Sequence, residues 1–522
     1  MSTKAVIVWL LIAIALGIAA ILLLRTPPGG GPLSGGGGGS GGVVAVGQKL
    51  LAIQPSDVQR IEILRPDGSR EVIERSPGGR SPFGGDSEWQ LRLFPASSAQ
   101  KSADPPAWPI IPVRMQALVR VLAEVRAVAE PAKDAAIGEN PTLVRIGLSG
   151  STITLRLAER RLAGTGLVEV QPQPQNNSQS SSTPAPMPAP LLAIVDDSLL
   201  NVFNNPGPRE WRERAIASGL TPDAARFRLE NPRQRLALGR VSGQWSLREP
   251  VVAPADAASV QRLATGIGEI VIADFLDSGS PAASTGLENP TARLAVEADL
   301  RTVAPGSSAA DPTVQTQTLT LTLGGAADAS AGRLFASIND SRLVLLDARP
   351  LQALTLDPVA YLWPHPTRLS PADVGTLVLD HLDAGAVGKA FKRTTAGWSA
   401  IRPDGTEIPL TDTDLREVTA LLAFLTGVGI DAKPAAAPQP PASQFSPPED
   451  LRPIGRISLL SLGGQPMETI DVGIGPGGGA VLKSGPVFRT YPVVRLPSLL
   501  GTMITAAPPP PASPPAKPEI NK

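Results

Sequence analysis

Two histidines are the whole imidazole supply of this 522-residue chain, and only one of them has carboxylates close by. In "LDHLDAG" (379–385), Asp380, His381 and Asp383 could together hold a divalent cation, since one imidazole and two carboxylates make an acceptable ligand set. Alternation along a strand opposes this, because it turns Asp380 away from His381 and Asp383. A solvated strand end is the expected reading. His365 lies between prolines in "WPHP", where a stiff backbone suits spacing of neighbouring units better than proton transfer. "DVGIGPGGG" (471–479) contains G-x-G-x-x-G. A dinucleotide site needs a helix to open within that loop, so that its N–H groups meet pyrophosphate. Here Pro476 sits inside the loop and the following "AVLKSG" is extended. "GGSGG" around Ser40 matches G-x-S-x-G without the strand and helix that a nucleophile elbow requires. Asp196-Asp197 stands at a turn with no partner identified at catalytic distance. No cysteine is present, which removes disulfides, thiolate metal sites and a cysteine nucleophile. A site with three or more histidine ligands is out of reach within one chain.

Three tryptophans are the remaining candidates: Trp89 in "SEWQLRLFP", Trp245 in "GQWSLREP" and Trp398 in "AGWSAIRP". Exposed along one face, they could stack on sugar rings and bind a glycan. Each is preceded by Gly or polar residues and followed by apolar-polar alternation. That pattern fits a repeated core anchor, because a tryptophan buries about 150–250 Å² and fixes how a strand meets a helix.

The elements that would position these residues follow from composition and periodicity. Lys plus Arg equals Asp plus Glu, 47 each, so no net field gathers nucleic acid. Aromatic residues are 4% of the chain, while 51 Gly and 56 Pro mark many turns and connectors. Ala5 to Leu24, "AVIVWLLIAIALGIAAILLL", is an unbroken apolar run between Lys4 and Arg25. About 20 residues span the hydrocarbon core of a bilayer, so the run reads as a single-pass anchor. It ends in Leu22-Leu23-Leu24-Arg25, a poor cleavage site. Long downstream domains translocate largely regardless of charge, which places the bulk of the chain outside the cytoplasm. Residues 26–48 read as a Gly-rich flexible linker, and further Pro-rich or polar stretches lie at 171–190, 303–316, 433–448 and 506–522.

Between these connectors the chain repeats itself. "QPSDVQRIEIL", "TPDAARFRLE" and "SPADVGTLVLD" open three units. Asp57, Asp223 and Asp373 stand in a turn or cap ahead of an alternating strand. A Trp strand follows in each, then a helix: Met115, Leu118, Leu122 and Val125; Val260, Leu263, Ala264, Ile267 and Ile270 after Asp256; Leu415, Val418, Leu422 and Leu425, entered through Asp414 with Glu417 in capping-box register. "GENPTLVRIGL" and "GLENPTARLAV", with Pro141 and Pro290, then open a second run of strands, of which "LRPIGRISLLSL" is a weaker third copy. The expected fold class is therefore α+β. It comprises three tandem units at 49–215, 216–366 and 367–505, each an antiparallel sheet with one packing helix.

In the order of these motifs, roughly Leu50 to Met503, the chain resembles the bacterial "domain of unknown function 4340" family. The shared features are an anchor, a Pro-x-Asp-Val strand start, a Gly-Trp strand, a "PAD" turn into a helix, and "GL-x-x-P" as in Gly286-Leu287-Glu288-Asn289-Pro290. The Pro-rich insertions in the first unit and the missing Asn-Pro in the third depart from that pattern. The resemblance implies a protein of the bacterial inner membrane and envelope, often encoded beside ABC transporters of the gliding-motility type. It supplies no catalytic residues. The expected function is a non-catalytic, single-pass, periplasm-facing scaffold without a cofactor. Its partners would be the bilayer through residues 5–24 and an ABC permease/ATPase or sister repeat proteins. An envelope glycan- or peptidoglycan-binding protein using the Trp surfaces is the first alternative, and a hydrolase with Asp/Glu/Ser chemistry the second.

Overall fold

Alternation builds the strands, with one regular departure. The first strand of each repeat buries an apolar residue, skips two, and only then alternates: Val58, Ile61, Ile63; Ala224, Phe227, Leu229. The skip is a β-bulge, the ladder register shifting between Val58 and Arg60, between Ala224 and Arg226, and between Val374 and Thr376. A bulge sets two residues opposite one and bends the strand. The turn ahead of it is equally regular. Asp57, Asp223 and Asp373 each donate their backbone N–H to the carbonyl three residues back, at 3.0, 3.2 and 2.9 Å.

The computed structural model describes residues 42–75, 88–96, 104–132, 134–160, 164–172, 190–204, 207–217, 219–276, 282–302, 313–352, 354–382, 388–428 and 442–505. The expected anchor at 5–24 and the tail at 506–522 lie outside the described residues, as do most of the expected linker and inserts. Among the described residues no helix is long and apolar enough to cross a membrane.

Three sheets form, antiparallel but for one short pairing. The first holds β1 (Gly42–Val43), β2 (Val58–Leu64), β3 (Arg70–Arg75), β4 (Trp89–Phe94), β5 (Trp108–Pro109), β6 (Ala127–Ala129), β7 (Thr142–Leu148), β8 (Thr152–Arg160), β9 (Thr165–Pro172) and β10 (Leu191–Asp196). Helix α1 (Pro112–Glu124) precedes β6, and α2 (Asp197–Asn204) follows β10. The second sheet holds β11 (Ala224–Glu230), β12 (Arg235–Val241), β13 (Gln244–Glu249), β14 (Ala253–Pro254), β15 (Ile272–Phe275), β16 (Ala292–Thr302), β17 (Thr313–Asp328), β18 (Arg333–Ile338) and β19 (Arg342–Asp347). Its helices are α3 (Ala257–Gly268), α4 (Ala282–Thr285) and α5 (Arg349–Gln352). The third holds β20 (Val374–His381), β21 (Lys389–Thr394), β22 (Gly397–Ile401), β23 (Glu407–Pro409), β24 (Ala442–Gln444), β25 (Arg452–Ser461), β26 (Pro466–Ile474), β27 (Ala480–Ser484) and β28 (Val487–Tyr491). Its helices are α6 (Asp412–Thr426) and α7 (Ser498–Thr505).

The second and third sheets share one connectivity, β14-β13-β12-β11-β16-β17-β18-β19-β15 and β23-β22-β21-β20-β25-β26-β27-β28-β24. In the first, β5-β4-β3-β2-β7-β8-β9-β10 follows the same path, with β6 and the parallel β1 both on β10. In each repeat the chain thus meanders out to one edge, crosses by a long helix to the opposite edge, returns to the middle beside its first strand, and meanders out again toward that opposite edge. The chain divides into two compact bodies, residues 1–73 with 116–210 and residues 74–115 with 211–522.

Several expected boundaries shift. Residues 42–43 pair with β10, so part of the stretch read as linker is strand. The segments 171–172 and 313–316, read as loop, are strand ends, and 442–444, also read as loop, is the whole of β24. Thr and Gln between apolar strands take ladder hydrogen bonds whatever their polarity. One packing helix per unit also undercounts, since α2, α5 and α7 follow the last strands. Asp256 caps α3 as its spacing predicts, accepting from the Ser259 N–H at 2.9 Å. In α6 the cap is Thr411 rather than Asp414: Asp414 N donates to Thr411 Oγ1 at 3.2 Å, and the Thr411 hydroxyl donates to Asp414 Oδ2 at 2.7 Å. Within α6, Leu415 is exposed, and Leu421 is buried with Val418, Leu422 and Leu425.

Helix α6 ends on Gly427 at φ +75°, a left-handed conformation that glycine adopts freely. A Cβ there would come within 2.3 Å of the His365 ring. Gly427→Ala is expected to lower stability by at least about 1 kcal/mol from the backbone alone, more once the imidazole is displaced. A urea titration showing no shift in midpoint would contradict this.

Candidate functional site

The three tryptophans occupy one repeated arrangement, and each is 8% exposed. The residue after each lies opposite a proline on the next strand: Gln90 to Pro109, Ser246 to Pro254, Ser399 to Pro409. The residue after that proline donates its N–H to the tryptophan carbonyl. Ile110 to Trp89, Ala255 to Trp245 and Leu410 to Trp398 are all 3.1 Å. An arginine guanidinium covers two of the rings, Arg75 at 5.1 Å from Trp89 and Arg240 at 5.0 Å from Trp245. Trp245 also stacks on Phe227 at 5.5 Å. No indole presents a free face along a groove in this arrangement, so the side chains pack where a sugar platform would need them open.

The proline-bearing strands have a second partner in two of the three repeats. Ile111 N donates to Trp211 O at 2.8 Å, and Pro109 O accepts from Glu213 N at 2.8 Å. Asp256 N donates to Tyr361 O at 2.7 Å, and Pro254 O accepts from Trp363 N at 3.0 Å. Proline tolerates an edge strand because its missing donor faces away from the ladder. Here its carbonyl, on that same outer side, takes the incoming segment. Side chains reinforce both junctions. Trp108 meets Phe275 edge-on at 5.0 Å, Arg212 lies 3.8 Å from the Phe275 ring, and Arg342 donates to Ala107 O at 2.6 Å. Burial pulls the Arg342 guanidinium down to about 10. At the second junction Arg368 donates to Trp245 O at 2.9 Å and Arg489 to Trp363 O at 3.0 Å. Burial raises the Tyr361 phenol to about 12.

His365 belongs to this second junction. It is buried, 5.7 Å from the Trp363 ring, and its Nδ1 lies 3.3 Å from Phe424 O, which as an acceptor assigns the proton to Nδ1. Asp380 and His381 end β20, opposite Arg456 and Gly455, while Asp383 lies outside the described residues. No cluster of three metal-ligating side chains occurs among the described residues. The glycine loop is the hairpin turn between β26 and β27, closed by Gly475 N to Gly479 O at 2.8 Å, with a strand rather than a helix after it. Asp196 accepts from the Ser198 N–H at 2.9 Å at the start of α2. Pro141 and Pro290 precede β7 and β16, and Pro290 lines a groove of about 770 Å³ with Glu230, Arg235, Glu249 and Arg293. Glu230 lies 3.8 and 3.9 Å from Arg235 and Arg293, so the charges of that groove largely answer one another.

Besides Arg212, two further buried charges escaped the sequence reading. Glu71 is fully buried and accepts from Arg65 Nε at 2.9 Å and Arg209 Nε at 3.0 Å. Arg489 is 1% exposed, with Nε and Nη1 unpartnered and burial lowering its pKa. Alternation signalled both: Glu71 shares a strand face with buried Ile73, and Arg489 with buried Val487 and Tyr491.

Residues 245–444 match the family model described as "Domain of unknown function (DUF4340)". The match begins at Trp245 in β13 and closes at Gln444 in β24, so it takes the end of one sheet and the start of the next together with the junction between them. No curated protein and no solved structure matches the chain.

Trp245→Ala is expected to cost about 3–5 kcal/mol of stability, as for a large core aromatic. Unchanged cooperativity in a denaturant melt would instead mark the ring as dispensable to the core. Burial holds the His365 pKa below its ordinary 6.5, so as the pH falls the unfolded chain takes up the proton first. The stability tied to a neutral His365 is present above that value and is lost as pH falls below it and through the folded pKa. Melting temperatures at pH 7.5 and 5 should differ less in His365→Gln than in the unaltered chain, and an identical difference would exclude His365 as a source.

Proposed function

We propose that this chain, which carries a DUF4340 segment at residues 245–444, is a non-catalytic, membrane-anchored scaffold or accessory subunit. Residues 5–24 serve as the single-pass anchor in a bacterial inner membrane, and the repeats face the periplasm as binding surfaces for an ABC-type permease/ATPase or sister repeat proteins. The observation that carries the reading is the use made of the most distinctive side chains. Trp89, Trp245 and Trp398 are each 8% exposed and anchor edge strands in place of lining a cleft, and at Trp89 and Trp245 a further chain segment attaches to that strand. The same burial weighs against the glycan-binding alternative, which requires open aromatic faces.

Crosslinking in intact membranes followed by purification of the full chain tests this reading. Permease or ATPase subunits should be recovered in stoichiometric amounts. Recovery of the chain alone, crosslinked only to itself, would remove the basis for a transporter scaffold.

A further inference from the structure

The proline-bearing edge strand occurs three times, and two of the copies are covered. Trp211 to Glu213 lies along β5, and Tyr361 to Trp363 along β14. Each covering segment supplies a carbonyl at an aromatic residue and an N–H two residues later. These meet the N–H after the helix-side position of the edge strand and the carbonyl of its proline. In the third copy the corresponding groups are Thr411 N–H and Pro409 C=O of β23, which register places with Ile111 and Pro109 and with Asp256 and Pro254. Among the described residues no segment pairs with that edge. Exposure follows: Trp108, Ile110, Ala253 and Ala255 are buried, whereas their counterparts Ile408 and Leu410 are half-buried.

The chain's own continuation is chemically unlike the two covering segments. Trp211 lies seven residues beyond the end of α2, and Tyr361 nine beyond the end of α5. At the same distance past α7 the sequence reads "PPPPASPPA" (508–516), with no aromatic residue and six prolines that carry no N–H. In that stretch only Ala512, Ser513 and Ala516 keep a backbone N–H, so it offers few donors for the Pro409 carbonyl and no aromatic residue beside them. The rim of the edge carries exposed Asp412 and Asp414, and Glu407, which is paired with Lys392 at 2.7 Å. One of the two natural covering segments, "REWRER" (209–214), is rich in arginine.

We infer that β23 is a docking edge for an extended segment of a partner protein, one that carries an aromatic residue flanked by arginines and adds to the third sheet as Trp211 to Glu213 adds to β5. Main-chain pairing would give such a segment its affinity, and the half-buried Ile408 and Leu410 with the acidic rim its selectivity. The inference rests on the scaffold reading and names the surface that reading leaves open.

The probe is a labelled peptide of residues 207–217, "GPREWRERAIA", titrated against the full chain in detergent and followed by fluorescence anisotropy. Saturable binding is expected, at least tenfold weaker for the peptide with Trp211→Ala and for the chain with Ile408→Lys, which places a charge on the edge. Hydrogen exchange should show the Thr411 amide open without peptide and protected with it, while Asp256 is protected throughout. Because Thr411 also caps α6, Ile408→Lys rather than a proline at 411 is the decisive variant, and its melting curve verifies folding. Equal binding to the Ile408→Lys chain, or no protection of Thr411, overturns the inference. Tighter binding after removal of 506–522 would assign the edge to the chain's own tail, and a dimer displaced by the peptide would assign it to a second copy; both also overturn it. Transporter subunits still recovered with the Ile408→Lys chain would sink the docking edge and leave the scaffold reading standing.

Discussion

One backbone hydrogen bond recurs in all three repeats: the N–H following an edge-strand proline, donated to a tryptophan carbonyl at 3.1 Å. That bond fixes the last strand, two or three residues long, before each long helix, and so the point from which the helix crosses its sheet. An unpaired buried carbonyl would cost about 1–3 kcal/mol, and the indole above it, 8% exposed, leaves no water to replace the lost donor. The proline on the same strand keeps its donor-free side outward. A strand of two or three residues therefore has one edge committed to its own sheet and one acceptor offered outside it.

The junctions are built on that offered acceptor. Glu213 and Trp363 donate to it, and Trp211 and Tyr361 accept from the next amide along. Arginines then fasten the covering segment: buried Arg212 and half-buried Arg342 at the first junction, half-buried Arg368 and buried Arg489 at the second. Guanidinium groups suit this use because several donors on one planar head can reach carbonyls and aromatic faces together. Arg489 leaves two of its nitrogens unpartnered, and the physical gain that offsets their burial is not visible in its contacts.

Much of this order could be read along the chain. Three Pro-Asp starts, three tryptophan strands and three amphipathic helices recur at matched intervals; Val260, Leu263, Ala264 and Ile267 are all buried as helical spacing requires, and Ile270 is buried two residues past the end of the helix. The bulge was also written there, in the skip from Val58 to Ile61 and from Ala224 to Phe227, though plain alternation does not anticipate it. The prolines opposite the tryptophan strands went unread because a single proline marks a turn as readily as an edge strand. Glu71 and Arg489 went unread because a charged residue on a core face is an exception that only its partners explain.

Residue type and period by themselves determined which segments are strands, which are helices, which faces turn inward, and that one unit is used three times. Those properties are local: they depend on side-chain spacing within a dozen residues. Tertiary structure alone decided that the tryptophans face the core rather than a ligand, that Arg489 reaches Trp363 across 126 residues, and that β5 and β14 are covered while no described residue covers β23. Such facts depend on which distant backbone donors arrive at a given carbonyl. No local pattern carries that information, because an open edge and a covered one are spelled with the same residues.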